Sequence, residues 1–282
     1  NSCLKMRVNT NEIFGVTVNI SLLDKEGNKI ATLENGKVER LLTIPIDNPH
    51  LWSVEDPYLY DLDIAILKDG VQTDAVSSYC GMRKIEVKKV GETPRIFLNG
   101  KQIFQMGPLD QGWWPDGLYT APSDEALLFD IKAMKALEFN MIRKHIKIEP
   151  ARWYMHCDRE GILVWQDLPS PNLPSGYEDY AKKNFEDESK RIITAFRNHP
   201  SIIQWVVFNE GWGQFDTERM TQIVIGEVGQ SLVCCASGWV DAPIGDIKDS
   251  HSYPNPSCPL DETRAGVCGE YGGITLKVQG HI

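Results

Sequence analysis

The chain has 282 residues, 42% of them hydrophobic and 24% charged, the balance of a globular protein able to bury a core. Its formal net charge of −10 and pI near 5.1 disfavour nucleic acid and anionic membrane surfaces as partners and leave neutral sugars acceptable. No run of 18 apolar residues is present, which excludes a membrane-spanning helix.

The opening NSCLKMRVNTNE lacks the basic region, apolar core and small-residue cleavage site of a signal peptide. It enters strand-like sequence almost at once, so the chain reads as the middle of a longer protein, and the compartment stays open. The seven cysteines are odd in number and form no CxxC pair, which argues against a zinc site or a disulfide framework.

Residues 1 to about 90 read as β-structure. GVTVNISLLD alternates apolar and polar residues, KEGN is a turn, and ATLENGKVERLLTIPI gives further strands around an Asn-Gly signal. LYDLDIAILKDGV repeats the pattern and SSYCGMRKIEVKKV closes it, the rhythm of a β-sandwich.

From about residue 91 the pattern changes. RIFLNGKQIFQMG is a hairpin around Asn99-Gly100, and SDEALLFDIKAMKALEF carries Leu127, Ile131 and Met134 at helical spacing behind a capping Ser123. A strand (FNMIRKH), a helix ended by Gly161, a short buried strand (ILVWQD) and a long amphipathic helix (GYEDYAKKNFEDESKRIITAFRN) follow. SIIQWVVFNE is a continuous apolar run of the parallel-sheet type. The alternation predicts a (β/α)8 barrel over about 91–282, with seven strands near Phe104, Met141, Val164, Val206, Cys235, Ile247 and Val267. An eighth is expected beyond Gly273, so the barrel is expected to be incomplete at its C-terminus. The stretch between the fifth and sixth strands is too short for a crossover helix.

In a parallel barrel the active site lies at the C-terminal ends of the strands. The residues predicted there are Asp110, Trp113, Arg143, His145, Asp167, Asn209, Glu210, Trp239, His251, Tyr253 and Glu270. This acidic and aromatic rim suits a sugar, which needs carboxylates for proton transfer, polar groups for hydroxyls and aromatic faces for the ring. Each glutamate alone reads equally well as a solvated or ion-paired strand end. Two of them on separate strands favour a two-carboxylate mechanism.

HPSIIQWVVFNEGWG resembles the acid/base signature of glycoside hydrolase family 2, and VCGEYGG resembles that family's nucleophile strand. NMIRKH is similar to its second strand and DSHSYPN to its sixth. IPIDNPHLWSVEDPYLYDLDIAI followed by GMRKIEV resembles its immunoglobulin-like domain running into the barrel. The resemblance implies retaining, exo-acting hydrolysis of a β-glycoside without an organic cofactor, with a carbohydrate as partner and homo-oligomerisation open; the rim carboxylates could hold a metal ion, but no ligand spacing argues for one. A β-galactoside is the first choice, with β-glucuronide and β-mannoside as alternatives. It makes Glu210 the acid/base and Glu270 the nucleophile, places Asn209 on the sugar 2-hydroxyl, and sets Tyr253 and Arg143 against Glu270.

Two departures stand out. Arg143-Lys144-His145 replaces the Arg-Thr-Ser-His common on the second strand, and the first-strand loop GPLDQGWWPDG lacks the usual histidines. They imply a divergent subfamily with an unusual substrate. A rival of another class is a non-catalytic carbohydrate-binding protein on the same scaffold, which would need neither glutamate.

Overall fold

The computed structural model describes residues 2–171, 178–274 and 279. The chain divides into two compact units, Asn1–Arg83 and Lys84–Ile282.

The first unit is all β. Strands β2 (Val16–Leu23), β3 (Lys29–Lys37), β5 (Tyr60–Lys68) and β6 (Val71–Cys80) form an antiparallel sheet in the order β3-β2-β5-β6. Strands β1 (Cys3–Met6) and β4 (Leu42–Pro45) pair separately. Alternation sends Val18, Ile20 and Leu22 of β2 inward, where they pack with Ile44, Tyr60 and Leu62. This is the core of the immunoglobulin-like sandwich. The β5–β6 hairpin turns on Asp69-Gly70, both at positive φ, as a two-residue turn requires. Asn35-Gly36, by contrast, makes no turn. It lies inside β3 at a register shift against β2, with Asn35 at φ 55° and its N–H donated to Asn19 Oδ1. There it is a β-bulge.

The second unit opens with an antiparallel sheet of β7 (Ile85–Val90), β8 (Thr93–Leu98) and β9 (Lys101–Gln102), with the expected hairpin at Asn99-Gly100. The IEVKKV segment, expected to close the sandwich, is β7 and pairs with β8. Seven parallel strands follow in sequential order: β10 (Leu109–Asp110), β11 (Met141–Lys144), β12 (Leu163–Asp167), β13 (Ile202–Asn209), β14 (Leu232–Ser237), β15 (Ile247–Ser252) and β16 (Ala265–Tyr271). Helices α1 (Asp124–Ala136), α2 (Ala151–Glu160), α3 (Asp179–Phe196) and α4 (Thr217–Glu227) fill the first four crossovers. This is an incomplete TIM barrel. The eighth strand expected beyond Gly273, and the start of the helix expected from Gly176-Tyr177, lie outside the described residues.

Local signals account for most boundaries. Ser123 Oγ accepts the Ala126 N–H at the start of α1, and Gly161 ends α2 in the left-handed conformation. All eight residues of β13 are buried, as expected of a parallel strand covered on both faces. Trp205, Val207 and Phe208 from that strand join Trp153, Tyr154, Phe185, Ile193 and Val224 from the helices in one core. No helix joins β14 to β15, where Gly245 passes within a carbonyl's reach of Val233.

The first barrel strand begins later than the apolar run suggests. Phe104 is 80% exposed, and residues 104–106 bond to Asn140 largely through its side chain. Parallel pairing starts only after Gly107-Pro108, at Leu109 opposite Arg143. A Cβ on Gly107 would lie 1.6 Å from the Met141 carbonyl oxygen. Gly107→Ala must therefore force β10 and β11 apart, and we expect a loss of about 1–3 kcal/mol in urea unfolding.

Candidate active site

The C-terminal ends of the parallel strands converge on one buried guanidinium. Residue alternation along β11 turns Ile142 and Lys144 to the helix layer and Arg143, then His145, to the barrel interior. Arg143, 1% exposed, donates through Nε and Nη2 to both oxygens of Asp167, at 3.1 and 2.8 Å. Nη2 also reaches Asn209 Oδ1 at 3.0 Å, and Nη1 reaches Glu270 Oε1 at 3.0 Å. Burial opposes the charge on Arg143, but Asp167, with Asp249 and Glu270, outweighs it and raises its pKa.

Glu270 is held from its other side by the Tyr253 hydroxyl, which donates to Oε2. Burial, then this bond and the charge of Glu270, raise the Tyr253 pKa, so the phenol keeps its proton. Glu210 follows the last residue of β13 with φ 53°, a conformation costing on the order of 1–3 kcal/mol for a non-glycine residue. Its N–H still bonds the Ser237 carbonyl, so the positive φ redirects the chain without losing the ladder bond. Glu210 Oε1 lies 2.7 Å from His251 Nδ1. Gly238 leaves room for the pair, since a Cβ there would meet Glu210 Cγ at 3.2 Å and His251 Nδ1 at 3.3 Å.

One carboxylate oxygen of Glu210, one of Glu270 and a ring nitrogen of His251 all lie within 4.8 Å of one another. The three could offer ligands to a cation. Glu270 Oε1 already faces the fixed charge of Arg143, and Oε2 takes the tyrosine proton, so the donor set is committed to hydrogen bonds. We place no metal there.

The structure gathers Glu210, Glu270, Asn209, Arg143, His145, Asp167, His251 and Tyr253 at this centre. Trp239, 63% exposed, stands edge-on to the His251 ring at 5.4 Å and flanks it. Asp110 and Trp113 belong to a neighbouring network instead. Asp110 accepts from Lys144 and from the Gly112 N–H, while Lys144 and Lys147 both pair with buried Glu149. Lys147 also binds the carbonyls of Gly112 and Tyr119, and Trp113 packs edge-on against Tyr119 at 4.3 Å. The lysine of the unusual Arg-Lys-His sequence thus anchors the first-strand loop.

Three contributors escaped the sequence reading. Ser237 Oγ donates to Asp249 Oδ2 at 2.5 Å and lies 2.8 Å from His251 Nε2, bracing the ring from behind. Burial raises the Asp249 pKa. Gly269 is needed beside it, since a Cβ would stand 2.2 Å from Asp249 Oδ2. The two-residue spacing of Asp249 and His251 on one strand was a legible signal; Ser237 carried none. Gln111, on the first-strand loop, lies with Nε2 3.2 Å from His145 Nδ1. A cavity of about 770 Å³ opens along β16 and reaches Arg143, Tyr253 and Glu270.

Residues 4–83 match the family model for glycosyl hydrolases family 2, and residues 92–231 match the model for the TIM barrel domain of that family. The chain belongs to glycosyl hydrolases family 2. Over 265 residues it is 31% identical to a beta-galactosidase of Lactococcus lactis subsp. lactis, covering 84% of this chain and 25% of that protein. It is 29% identical to a beta-glucuronidase of Bacteroides fragilis, over 69% of this chain and 28% of that protein. The fold is shared with the crystal structure of Ruminococcus gnavus beta-glucuronidase, with a TM-score of 0.75 and 22% identity over 89% of this chain and 44% of that one. This family 2 chain spans about a quarter of the length of the curated relatives it matches.

Removing the central guanidinium should cost stability as well as shape. Arg143→Met leaves the buried Asp167 carboxylate without its fork of donors, and we expect a loss of about 3–5 kcal/mol by thermal or urea unfolding. Arg143→Lys should recover only part of it, because an ammonium cannot make the paired bonds to Asp167.

Proposed function

We propose that the protein containing this chain is a retaining, exo-acting β-glycosidase with Glu270 as nucleophile and Glu210 as acid/base. The observation that carries the reading is the close approach of two differently dressed carboxylates, with oxygens within 4.8 Å. Retaining enzymes hold the two carboxyl groups about 5–5.5 Å apart, whereas inverting enzymes leave about 6.5–9.5 Å for a water molecule. Glu270 faces a fixed cation and a phenol donor, contacts that hold both its oxygens in place for attack. Glu210 faces an imidazole nitrogen, a group able to share a proton with it.

In the first half-reaction a Glu270 oxygen bonds to the anomeric carbon as its bond to the leaving oxygen breaks. Glu210 passes its proton to that oxygen. In the second, water attacks the anomeric carbon, gives its proton to Glu210, and the bond to Glu270 breaks. Asn209 accepts from Arg143 through Oδ1, so its amide hydrogens remain to donate to the sugar 2-hydroxyl. Trp239 offers a ring face, while Asp167 and His145 are buried beside Arg143 and Glu270.

A neutral sugar, with a β-galactoside as first choice, is the preferred substrate. Among the described residues, Arg143, Lys144 and Lys147 at this end of the barrel are all paired with carboxylates, which leaves them poorly placed to receive a uronate. Activity of the full-length protein on aryl β-galactosides, β-glucuronides and β-mannosides tests this choice, and a preference for the glucuronide would reverse it.

Glu270→Gln should lower turnover at least a thousandfold on every substrate, because the nucleophile acts in each cycle. Glu210→Ala should keep measurable activity on substrates with acidic leaving groups, which depart with little protonation. Equal losses for both variants across a leaving-group series would refute the assignment. Sugar binding by the native protein with no hydrolysis of any glycoside would instead favour a binding protein on this scaffold.

A further inference from the structure

One polar atom in the wall of this site is left over. His145 is 5% exposed, and its Nε2 has no hydrogen-bond partner among the described residues. The two oxygens it faces, Glu270 Oε1 at 3.8 Å and Asp167 Oδ2 at 4.0 Å, lie beyond hydrogen-bond reach. A buried donor or acceptor left unpaired is costly, and natural sites rarely carry one without a use for it.

The surroundings of the ring favour its neutral form, with a single proton. Burial, with the Arg143 charge, lowers its pKa and outweighs the opposite pull of Asp167, Glu270 and Glu210. Which nitrogen holds that proton is decided by the surroundings on each side. Two carboxylate oxygens beside Nε2 favour N–H there and disfavour a lone pair. Nδ1 must then accept, and the group that faces it at 3.2 Å is the Gln111 amide nitrogen, a donor.

The backbone around Gln111 is pinned on both sides. His145 donates its own N–H to the Asp110 carbonyl, Asp110 Oδ1 accepts from the Gly112 N–H, and Lys147 binds the Gly112 carbonyl. Gly112, at φ 65°, has Glu149 and Lys147 atoms where a Cβ would stand.

We propose that Gln111 is a positioning residue: it holds His145 in the Nε2–H form, presenting that N–H to a hydroxyl group of the bound sugar. The proposal rests on the glycosidase reading above. A hydroxyl is the chemistry that fits, because its oxygen accepts from Nε2 while its hydrogen goes to Asp167 or Glu270. An oxygen about 2.8 Å from Nε2 and from one carboxylate oxygen has to sit beside the pair, off the line that joins them, and bridges them from there. An anionic group is repelled there by both carboxylates.

The test uses the full-length protein labelled with ¹⁵N-histidine, with His145→Gln supplying the assignment by difference. Native His145 should show a protonated Nε2 and an imine-type Nδ1. Gln111→Glu replaces the donor with an acceptor of the same shape at an exposed loop position, so the core is undisturbed. It should move the proton to Nδ1 or add a second one. The same variant should lower kcat/KM about tenfold or more on the best aryl β-glycoside. One monodeoxy substrate in a series should show no such difference between native and variant, identifying the hydroxyl that His145 serves.

A native ring protonated on Nδ1 overturns the proposal. So does an unchanged kcat/KM in Gln111→Glu, or an equal loss on every deoxy sugar. If the native protein hydrolyses no glycoside, the functional reading fails on its own, and the role of His145 toward a sugar hydroxyl is overturned with it. The nitrogen shifts still decide separately whether Gln111 sets the tautomer.

Discussion

A guanidinium buried at the centre of a parallel sheet must be neutralised, and Arg143 meets that requirement with Asp167, Asn209 and Glu270 drawn from three other strands. The planar fork ties four strand ends into one plane, which a lysine ammonium could not do with the same directionality. Because Asp167 is equally buried, neither partner can leave without exposing the other to an apolar interior. The site is therefore part of what stabilises the barrel mouth, and its geometry is held by the same bonds that hold the strands in register.

A second layer holds the other carboxylate. Glu210 leans on His251, His251 on Ser237, and Ser237 on the buried Asp249. The first link crosses from the end of β13 over β14 to β15, and the other two join β14 to β15, so the orientation of Glu210 is fixed by β14 and β15 more than by its own strand. The backbone makes room at three points where a side chain would intrude: Gly238 beside Glu210 and His251, Gly269 beside Asp249, and Gly211 after the positive φ of Glu210. Local strain at Glu210 is thus offset by bonds formed further round the barrel.

Beside this centre lies a self-contained charged cluster. Lys144, Lys147, Asp110 and Glu149 satisfy one another and fasten the first-strand loop to the second strand. It explains why this chain carries a lysine where its resemblance to family 2 sequences would suggest a smaller residue. Lys144 points into the helix layer over Trp153, away from the carboxylate pair. Its counter-charges come from the loop and from Glu149, so the loop composition and the strand composition depart from the family pattern together.

Element types and the residues at strand ends were legible in the sequence, because they depend on patterns within ten residues or so. The β13 apolar run and its terminal Asn209-Glu210, the capping Ser123 and the Asn99-Gly100 hairpin all followed from local spacing. Local pattern also misled. Phe104 looked like a buried strand residue, yet the chain pairs only beyond Gly107-Pro108, and Asn35-Gly36 is a bulge although it has the composition of a turn. What only the tertiary structure decided is which strand ends meet. The approach of Glu210 to Glu270, the sorting of Asp110 away from that pair, and the bracing by Ser237, Asp249 and Gln111 depend on sheet register and curvature. These arise from packing between residues as far apart as 143 and 270, and no short stretch of sequence encodes them.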